Sequence, residues 1–220
     1  VALYNNVLAG VNLEGNKFFY VNVLEADGKR PFNHGTAGRA PWFGTACCPS
    51  NMARLIPQIS GMTYSHTNDD IYTVFYAGNS TSIPLEGGNV GLKQQTSYPF
   101  DGNITIEVSP EQEGHEFTMW VRIPTWCGEQ FVPGELYSYA NAAADKAVVK
   151  VNGKRVRTEV VDGYMPVQRA WQAGDEVTLN LPMPVRYNVA DERVEADRGK
   201  VSITRGPLVY CAEEEDNEQQ

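Results

Sequence analysis

The sequence has no run of lysine and arginine residues, and no apolar stretch near the roughly 18 residues that a membrane span needs. Its 27 acidic residues outnumber its 18 basic residues, and the net charge is −9. A chain with this charge and no basic patch is a poor partner for nucleic acid or for a membrane surface. Apolar residues make up 42% of the 220 positions, which is typical of a soluble globular protein.

A start methionine and a signal-peptide pattern are also missing, because the chain begins Val1-Ala2-Leu3-Tyr4. We therefore expect a piece of a longer protein. Any targeting segment would then lie upstream, so the sequence does not indicate whether the protein is cytoplasmic or periplasmic.

Several common catalytic patterns are absent as well. The sequence shows no Ser-His-Asp order, no glycine-rich loop of the kind that cradles phosphate and no paired-carboxylate motif. Asp69-Asp70 indicates a turn, since a calcium site would need more oxygen ligands than its neighbours offer.

Cysteine is scarce, and the spacing of the four cysteines is not that of a small disulfide-rich secreted protein. Cys127 and Cys211 lie among apolar residues that are typical of strands. We predict that both are buried, unreactive thiols, in preference to a disulfide between them.

Residues 1–60 carry helical patterns. Apolar residues at helical spacing mark one face of a first helix, and they are Leu3, Val7, Leu8 and Val11. Gly15 is placed to end that helix. Residues 18–24 predict a buried extended run, and the polar residues 27–41 predict a loop. We expect residues 1–60 to be the last helices of an α-helical domain.

From Thr63 onward, short alternating runs of β-branched and aromatic residues predict strands. The clearest runs are residues 70–77, 104–108, 117–123, 148–151 and 177–181. Turn signals such as Asp101-Gly102 and Asn152-Gly153 lie between them. The predicted fold class is mainly β, with an antiparallel β-sandwich region over residues 61–220, as one large or two small sandwiches. Residues 213–220 are acidic and predict a frayed tail.

The segment Cys47-Cys48-Pro49 stands at the start of an apparent helix. Pro49 suits the first helical turn, where its missing N–H costs nothing. One helical face then follows at the expected spacing, formed by Met52, Leu55, Ile56 and Ile59. The partial positive charge of a helix N-terminus favours the thiolate, which is the nucleophilic and metal-binding form of cysteine. The pair is therefore a candidate site for chemistry.

The residues alone leave several interpretations of this pair open. Two packed thiols would need no function. A zinc ion held by both thiolates is the functional alternative, because soft thiolates favour zinc and four ligands complete its tetrahedral site. His34 and His66 are candidates for further ligands, although isolated histidines are more often surface residues. A redox sensor is disfavoured, since a disulfide between neighbours is strained and no separate resolving cysteine is evident.

The tryptophans are candidates for stacking on sugar rings. Trp120 is in strand register and is expected in the core, whereas Trp126 and Trp171 lie near turns, where they could be exposed.

Four segments of the chain are similar to one known family. They are residues 3–10 (LYNNVLAG), 18–22 (FFYVN), 43–54 with its Cys-Cys-Pro-x-Asn core, and 198–210 with its Arg-Gly-Pro-Leu-Val-Tyr end. The family is the bacterial β-L-arabinofuranosidases, which are glycoside hydrolases with a cysteine nucleophile on zinc. The resemblance extends over essentially the whole chain, as the C-terminal third or so of a full enzyme.

The resemblance implies a six-fold α/α barrel followed by β-sandwich domains. Residues 1–60 would be the terminal elements of the barrel, and residues 61–220 the sandwich region. Cys47 would attack the anomeric carbon of an L-arabinofuranoside or related glycan, and Cys48 would bind the same zinc. The configuration of the released sugar would be retained, with a thiolate in place of the usual carboxylate nucleophile.

In that family the acid/base glutamate and the other zinc ligands, a glutamate and a further cysteine, come from the upstream barrel. No acidic residue of this chain takes their place. We therefore expect the chain alone to lack zinc and to be inactive. The alternative is a non-catalytic β-sandwich module that binds carbohydrate or braces a catalytic domain, with Cys47 and Cys48 incidental.

Overall fold

The computed structural model describes residues 1–21, 23, 26–45, 47–129, 131–141 and 145–212, so the predicted tail at 213–220 lies outside the described residues. The chain divides into two compact units. The first comprises Val1–Ser60 and Pro207–Gln220, and the second comprises Gly61–Gly206. Among the described residues, no helix is long and apolar enough to cross a bilayer.

The first unit consists of short helices joined by loops. Its elements are a π-helical segment (Leu3–Leu8), helix α1 (Cys47–Gln58) and a short strand (Leu208–Tyr210), and a 3₁₀ turn (Ile59–Met62) follows α1. Helix α1 contains Pro57, which has no backbone N–H to donate, and the helix ends one residue later at Gln58.

Asn5 connects the two ends of the first unit. Its Nδ2 donates a hydrogen bond to the carbonyl oxygen of Pro207 at 2.7 Å, and its Oδ1 accepts one from the N–H of Val209 at 2.8 Å. One side chain therefore holds the N-terminal helix against the C-terminal strand.

The first helix is shorter than the sequence predicted. It ends at Leu8, and Val11 lies beyond it in an isolated bridge to Phe18. The Asn12 side chain accepts hydrogen bonds from the N–H groups of Asn16 and Lys17, at 3.0 and 2.8 Å. Because such side-chain bonds compete with helical ones, the chain turns at Asn12 and does not continue as helix to Gly15.

The predicted extended run over residues 18–24 is also wrong for the residues that are described. Phe18 makes isolated bridges, but the N–H groups of Tyr20 and Val21 bond to the side chain of Asn33 and not to a strand. Of this run, Asn22 and Leu24 lie outside the described residues.

The second unit is built from strands. In chain order they are β1 (Tyr64–His66), β2 (Asp70–Thr73), β3 (Asn79–Leu85), β4 (Gly88–Thr96), β5 (Asn103–Pro110), β6 (His115–Arg122), β7 (Tyr137–Tyr139), β8 (Val148–Val151), β9 (Lys154–Arg155), β10 (Tyr164–Trp171), β11 (Asp175–Asn180), β12 (Val185–Ala190) and β13 (Val201–Arg205). Short 3₁₀ turns lie at Thr125–Cys127 and Glu195–Asp197.

The strands form three sheets. One has the order β1-β2-β6-β10, a second has the order β3-β4-β5-β11-β8-β9, and a third contains β13-β12-β7. The described pairings are antiparallel, except that β2 lies parallel to β6.

The four- and six-stranded sheets share one hydrophobic core. Alternate residues of β5, namely Ile104, Ile106 and Val108, are at most 1% exposed. They belong to the same core cluster as Met119 of β6 and Trp171 of β10, which are fully buried. The alternation that predicted these strands therefore sets which face is buried, and the predicted antiparallel sandwich is confirmed.

The tryptophans do not lie where their sequence context suggested. Trp126 and Trp171 are buried, and Trp171 stacks on Phe117 with ring centroids 5.3 Å apart. The Trp171 indole N–H donates to the carbonyl oxygen of Phe117 at 3.0 Å, so this large ring enters the core with its polar atom bonded. Trp120 is only half-buried and stacks on Tyr72.

The two isolated cysteines also differ from the prediction of full burial. Cys127 is half-buried and Cys211 is exposed, because Cys211 follows the last strand and does not enter a core. None of the four cysteines forms a disulfide, as expected.

Candidate active site

Cys47 and Cys48 are the first two residues of α1, as predicted. The Cys47 thiol is exposed and the Cys48 thiol is half-buried, and the two Sγ atoms lie 3.7 Å apart. Ser50 Oγ donates to the backbone carbonyl of Cys47 at 3.1 Å, which fixes the first turn. Both sulfurs thus lie at the end of the helix that carries partial positive charge.

Tyr20 lies against this pair. Its Oη is 3.5 Å from Cys47 Sγ, although 27 positions separate the two residues. Tyr20 belongs to the loop before α1, and its ring contacts the rings of His34 and Phe43, with centroids 4.0 and 5.4 Å away. Phe43 is only 5% exposed, so the tyrosine rests on a buried aromatic side chain.

Asn33 positions the segment that carries Tyr20. Its side chain is fully buried, and its Oδ1 accepts hydrogen bonds from the N–H groups of Tyr20 and Val21, at 2.7 and 3.3 Å. Its Nδ2 donates to the carbonyl oxygens of Phe18 and Gly38, at 3.3 and 2.8 Å. A buried amide with both ends bonded holds two loop segments in one arrangement.

The local contacts give the two thiols different acidities. The hydrogen bond from Tyr20, followed by that from Cys48, lowers the pKa of Cys47 from its ordinary value. Burial, followed by the contact with Cys47, raises the pKa of Cys48 and outweighs a hydrogen bond from Tyr20 that lowers it. The hydrogen bond between Tyr20 and Cys47, followed by that with Cys48, raises the pKa of Tyr20 to about 12. The phenol therefore keeps its proton and is the donor. Cys47 is therefore the thiol that ionises first and the stronger candidate nucleophile.

The spacing of the two sulfurs suits one shared metal ion. Two thiolates bound to a tetrahedral zinc at about 2.3 Å lie about 3.8 Å apart, and the observed Sγ–Sγ distance is 3.7 Å. Across the described residues, no three or more histidine, cysteine or acidic side chains form a group that could hold a metal. The two thiolates could therefore supply two of the four ligands of a tetrahedral zinc site.

The two candidate histidines do not complete that set. The His34 ring packs on Tyr20, and His66 lies in β1 of the second unit, where its Nδ1 is 3.1 Å from the carbonyl oxygen of Thr67. Within the described chain, neither histidine joins the cysteines in a metal-binding group.

Comparison with protein families places these residues in a known context. The model of the catalytic domain of β-L-arabinofuranosidases of glycoside hydrolase family 127 matches residues 1–61. The model of the middle domain of that family matches residues 70–183, which is more than half of the chain, and the model of the C-terminal domain matches residues 185–220. The chain belongs to glycoside hydrolase family 127.

Individual members of family 127 are similar over nearly the whole chain. A non-reducing end β-L-arabinofuranosidase of Bifidobacterium longum subsp. longum is 31% identical over 223 residues, which span 98% of this chain and 31% of that protein. A solved structure of a family 127 β-arabinofuranosidase has a TM-score of 0.89 at 42% identity, over 98% of this chain and 33% of its own.

A second solved structure, the family 127 β-L-arabinofuranosidase Ara127N-Se from Geobacillus stearothermophilus T6, has a TM-score of 0.83 at 40% identity, over 100% of this chain and 33% of its own. This chain therefore spans about a third of the length of these relatives. The predicted family and the mainly β fold class are both confirmed.

The cysteine pair lies inside the segment that matches the family 127 catalytic domain. Tyr20 and Asn33 lie in the same segment, and the sequence alone predicts no role for either. Tyr20 belongs to the FFYVN segment that carries part of the family resemblance, but the residue pattern shows no reason for it to contact Cys47. Asn33 lies in a loop with no motif. The sequence signal for Tyr20 is the family resemblance of residues 18–22, and that resemblance does not indicate what the residue does.

Proposed function

We propose that this chain is the C-terminal part of a retaining β-L-arabinofuranosidase, with Cys47 as its nucleophile. The observation that carries the proposal is the contact of the Tyr20 hydroxyl with an exposed thiol at a helix N-terminus, inside the segment that matches the catalytic domain. The names of the relatives supply the substrate class, an L-arabinofuranoside or a related glycan.

The position and acidity of Cys47 support a reaction in which this residue is the nucleophile. Its thiolate attacks the anomeric carbon while the bond from that carbon to the aglycone oxygen breaks, and the acid/base group proposed to lie upstream would give that oxygen a proton. The sugar becomes bound to Sγ. Water then attacks the same carbon, gives a proton back to the acid/base group and releases the thiolate. Two displacements at one carbon retain the configuration. Tyr20 donates its hydrogen bond to the sulfur whenever the thiolate is free, and it thereby stabilises both the attacking and the leaving form.

Zinc is the proposed cofactor of the complete enzyme. Cys47 and Cys48 would hold it, and its charge would keep both sulfurs deprotonated, including the Cys48 thiol whose pKa burial raises. The remaining ligands and the acid/base group are proposed to come from an upstream α/α-barrel domain, of which residues 1–60 are the last elements, with the β-sandwich region following from residue 61. With two ligands alone, the affinity for zinc falls steeply, so we propose that the isolated chain is metal-free and inactive.

A second candidate function is a non-catalytic β-sandwich that binds carbohydrate or braces a catalytic domain. The core cluster of the second unit supports it, since both facing sheets bury their apolar faces within residues 61–206. In that case the cysteine pair has no chemical role.

Substitution in the full-length protein separates the two functions. Under the first, Cys47→Ser abolishes turnover of an aryl β-L-arabinofuranoside, because a hydroxyl at that position has no comparable anionic form near neutral pH. Cys211→Ser is the matched control, since it makes the same change at an exposed thiol of the first unit and should leave turnover unchanged. Unchanged turnover in Cys47→Ser would exclude Cys47 as the nucleophile and favour the non-catalytic β-sandwich.

A further inference from the structure

The second unit contains a cleft whose lining does not include the cysteine pair. Its volume is about 730 Å³, within the range of about 300–1,000 Å³ that is typical of small-molecule sites. It lies between strands β8 and β9, strand β10 and the segment 123–129. Val149 and Met165 line it and are at most 9% exposed, so the cleft has an apolar base.

Positive charge is concentrated at this cleft. Lys146, Arg155 and Arg157 line it, against one lining carboxylate, that of Glu129. Asp145 and Glu159 are close in sequence but are not among the lining residues. Within the described chain, none of the three cations is engaged in an ion pair. In a protein with a net charge of −9, this local excess of positive charge would attract an anion.

The remaining lining groups favour a polyhydroxylated anion. Thr125 and Thr158 use their hydroxyl protons internally, donating to the carbonyl oxygens of Phe131 at 3.2 Å and Pro166 at 2.8 Å. Their oxygens therefore remain free to accept hydrogen bonds from the hydroxyls of a ligand. Cys127 adds no negative charge, because burial raises its pKa to about 12.

The lining of the cleft disfavours one class of anion. Among its described lining residues there is no aromatic ring, so a nucleobase would have no stacking surface. Arginine side chains match the two-oxygen geometry of a carboxylate, and they match a phosphate equally well, so competition by phosphate is needed to separate the two.

We propose that this cleft binds a carboxylate-bearing oligosaccharide, with Arg155, Arg157 and Lys146 holding the carboxylates and the two threonines accepting from sugar hydroxyls. The choice of a saccharide rests on the proposed function, whereas the preference for an anion rests on the charges alone. The lining residues of the cleft all belong to the second unit, whereas the cysteine pair belongs to the first.

Calorimetric titration of the 220-residue chain with trigalacturonate tests this inference. The variant Arg155→Gln/Arg157→Gln should bind at least about tenfold more weakly, because each lost contact is a charge-assisted hydrogen bond. The control Lys150→Gln/Lys154→Gln removes the same charge from β8 and β9 at positions that do not line the cleft, and it should stay within about twofold of the wild type. Circular dichroism checks that both variants fold.

The neutral trisaccharide galactotriose should bind far more weakly than trigalacturonate. The proposal is overturned if the wild-type chain does not bind trigalacturonate, if both double variants lose equal affinity, or if galactotriose binds equally well. Competition by inorganic phosphate at the same concentration as trigalacturonate would also overturn the saccharide assignment and leave a general anion site. Cys47→Ser should not alter the binding of trigalacturonate. Loss of the hydrolase proposal would appear in the turnover of the arabinofuranoside, whereas loss of this proposal would appear in the titration.

Discussion

The hydroxyl of Tyr20 lies 3.5 Å from the sulfur of Cys47, and its hydrogen bond is the largest of the contacts that lower the pKa of this thiol. Cys48 is one residue away at the same helix end, yet burial raises its pKa while the bond from Tyr20 lowers that of Cys47. The dipole of the helix N-terminus acts on both sulfurs, so it does not explain the difference. Tyr20 lowers the pKa of both thiols, so the difference comes from the burial of Cys48 and from the hydrogen bond between the two thiols, which lowers the pKa of Cys47 and raises that of Cys48.

Removal of the Tyr20 hydroxyl should make Cys47 a weaker acid. In the metal-free 220-residue chain, Tyr20→Phe is expected to move the pH midpoint of Cys47 alkylation upward and to slow alkylation near neutral pH, because less thiolate is present. The measurement is the rate of iodoacetamide labelling of the Cys47 peptide as a function of pH. Tyr72→Phe, which removes a hydroxyl in the second unit, is the control. An unchanged profile in Tyr20→Phe would show that the contact does not set the acidity.

Asn33 should be required for the position of Tyr20. Asn33→Ala leaves the buried N–H of Tyr20 and the carbonyl oxygen of Gly38 without their partner, so we expect a loss of about 1–3 kcal/mol in the stability of the first unit. Hydrogen exchange of the peptide that contains residues 18–21 should accelerate.

Asn141→Ala, a change in the second unit, serves as the control for Asn33→Ala and should not alter exchange at residues 18–21. Wild-type protection in Asn33→Ala would mean that the aromatic contacts of Tyr20 suffice to hold the loop.

Asp175 should make the second unit sensitive to acid. Burial alone would raise the pKa of this carboxyl, but hydrogen bonds from Asn152 and the Gln172 N–H, together with Arg169 at 3.3 Å, outweigh it and lower the pKa below 3.8. A carboxyl whose pKa is lower in the folded state than in the unfolded state stabilises the fold. That contribution is complete when the pH is above the pKa of the unfolded state, and it is lost as the pH falls through the pKa of the folded state. Urea unfolding should therefore show a loss of stability below about pH 4.

Asp175→Asn should flatten that part of the pH dependence, since the titrating group is gone. Asp162→Asn, at an exposed turn, is the matched change and should retain the wild-type slope. Equal slopes in wild type and Asp175→Asn would show that other carboxyls carry the acid response.

Zinc content should separate this chain from the longer protein. We expect one zinc per full-length chain, loss of that zinc in Cys48→Ser, and no tightly bound zinc in the 220-residue chain, because two ligands do not complete a tetrahedral site. Metal analysis after dialysis measures all three. Stoichiometric zinc in full-length Cys48→Ser would exclude this residue as a required ligand.

Local pattern was enough to predict the strands and the position of the cysteine pair. Ile104, Ile106 and Val108 alternate, and they are buried as the alternation requires. Cys47 begins a helix because proline two residues later and the apolar face beyond it define where that helix starts. These features depend on neighbours in sequence, so a single sequence contains them.

Long-range contacts could not be predicted in the same way. Asn33 bonds to Tyr20 across 13 positions, and Tyr20 reaches Cys47 across 27. Trp171 lies beside a turn signal but is buried, because its indole N–H finds the carbonyl of Phe117 on the neighbouring strand. In each case the deciding partner comes from the fold and not from the adjacent residues.

The most direct test of the account is to identify the residue that bears the sugar during turnover. Full-length enzyme would be quenched with acid during the hydrolysis of an aryl β-L-arabinofuranoside, digested and analysed by peptide mass spectrometry. If Cys47 is the nucleophile, we expect one pentosyl unit on the sulfur of Cys47 and no such adduct in Cys47→Ser. A pentosyl unit on a carboxylate side chain, with Cys47 unmodified, would contradict it.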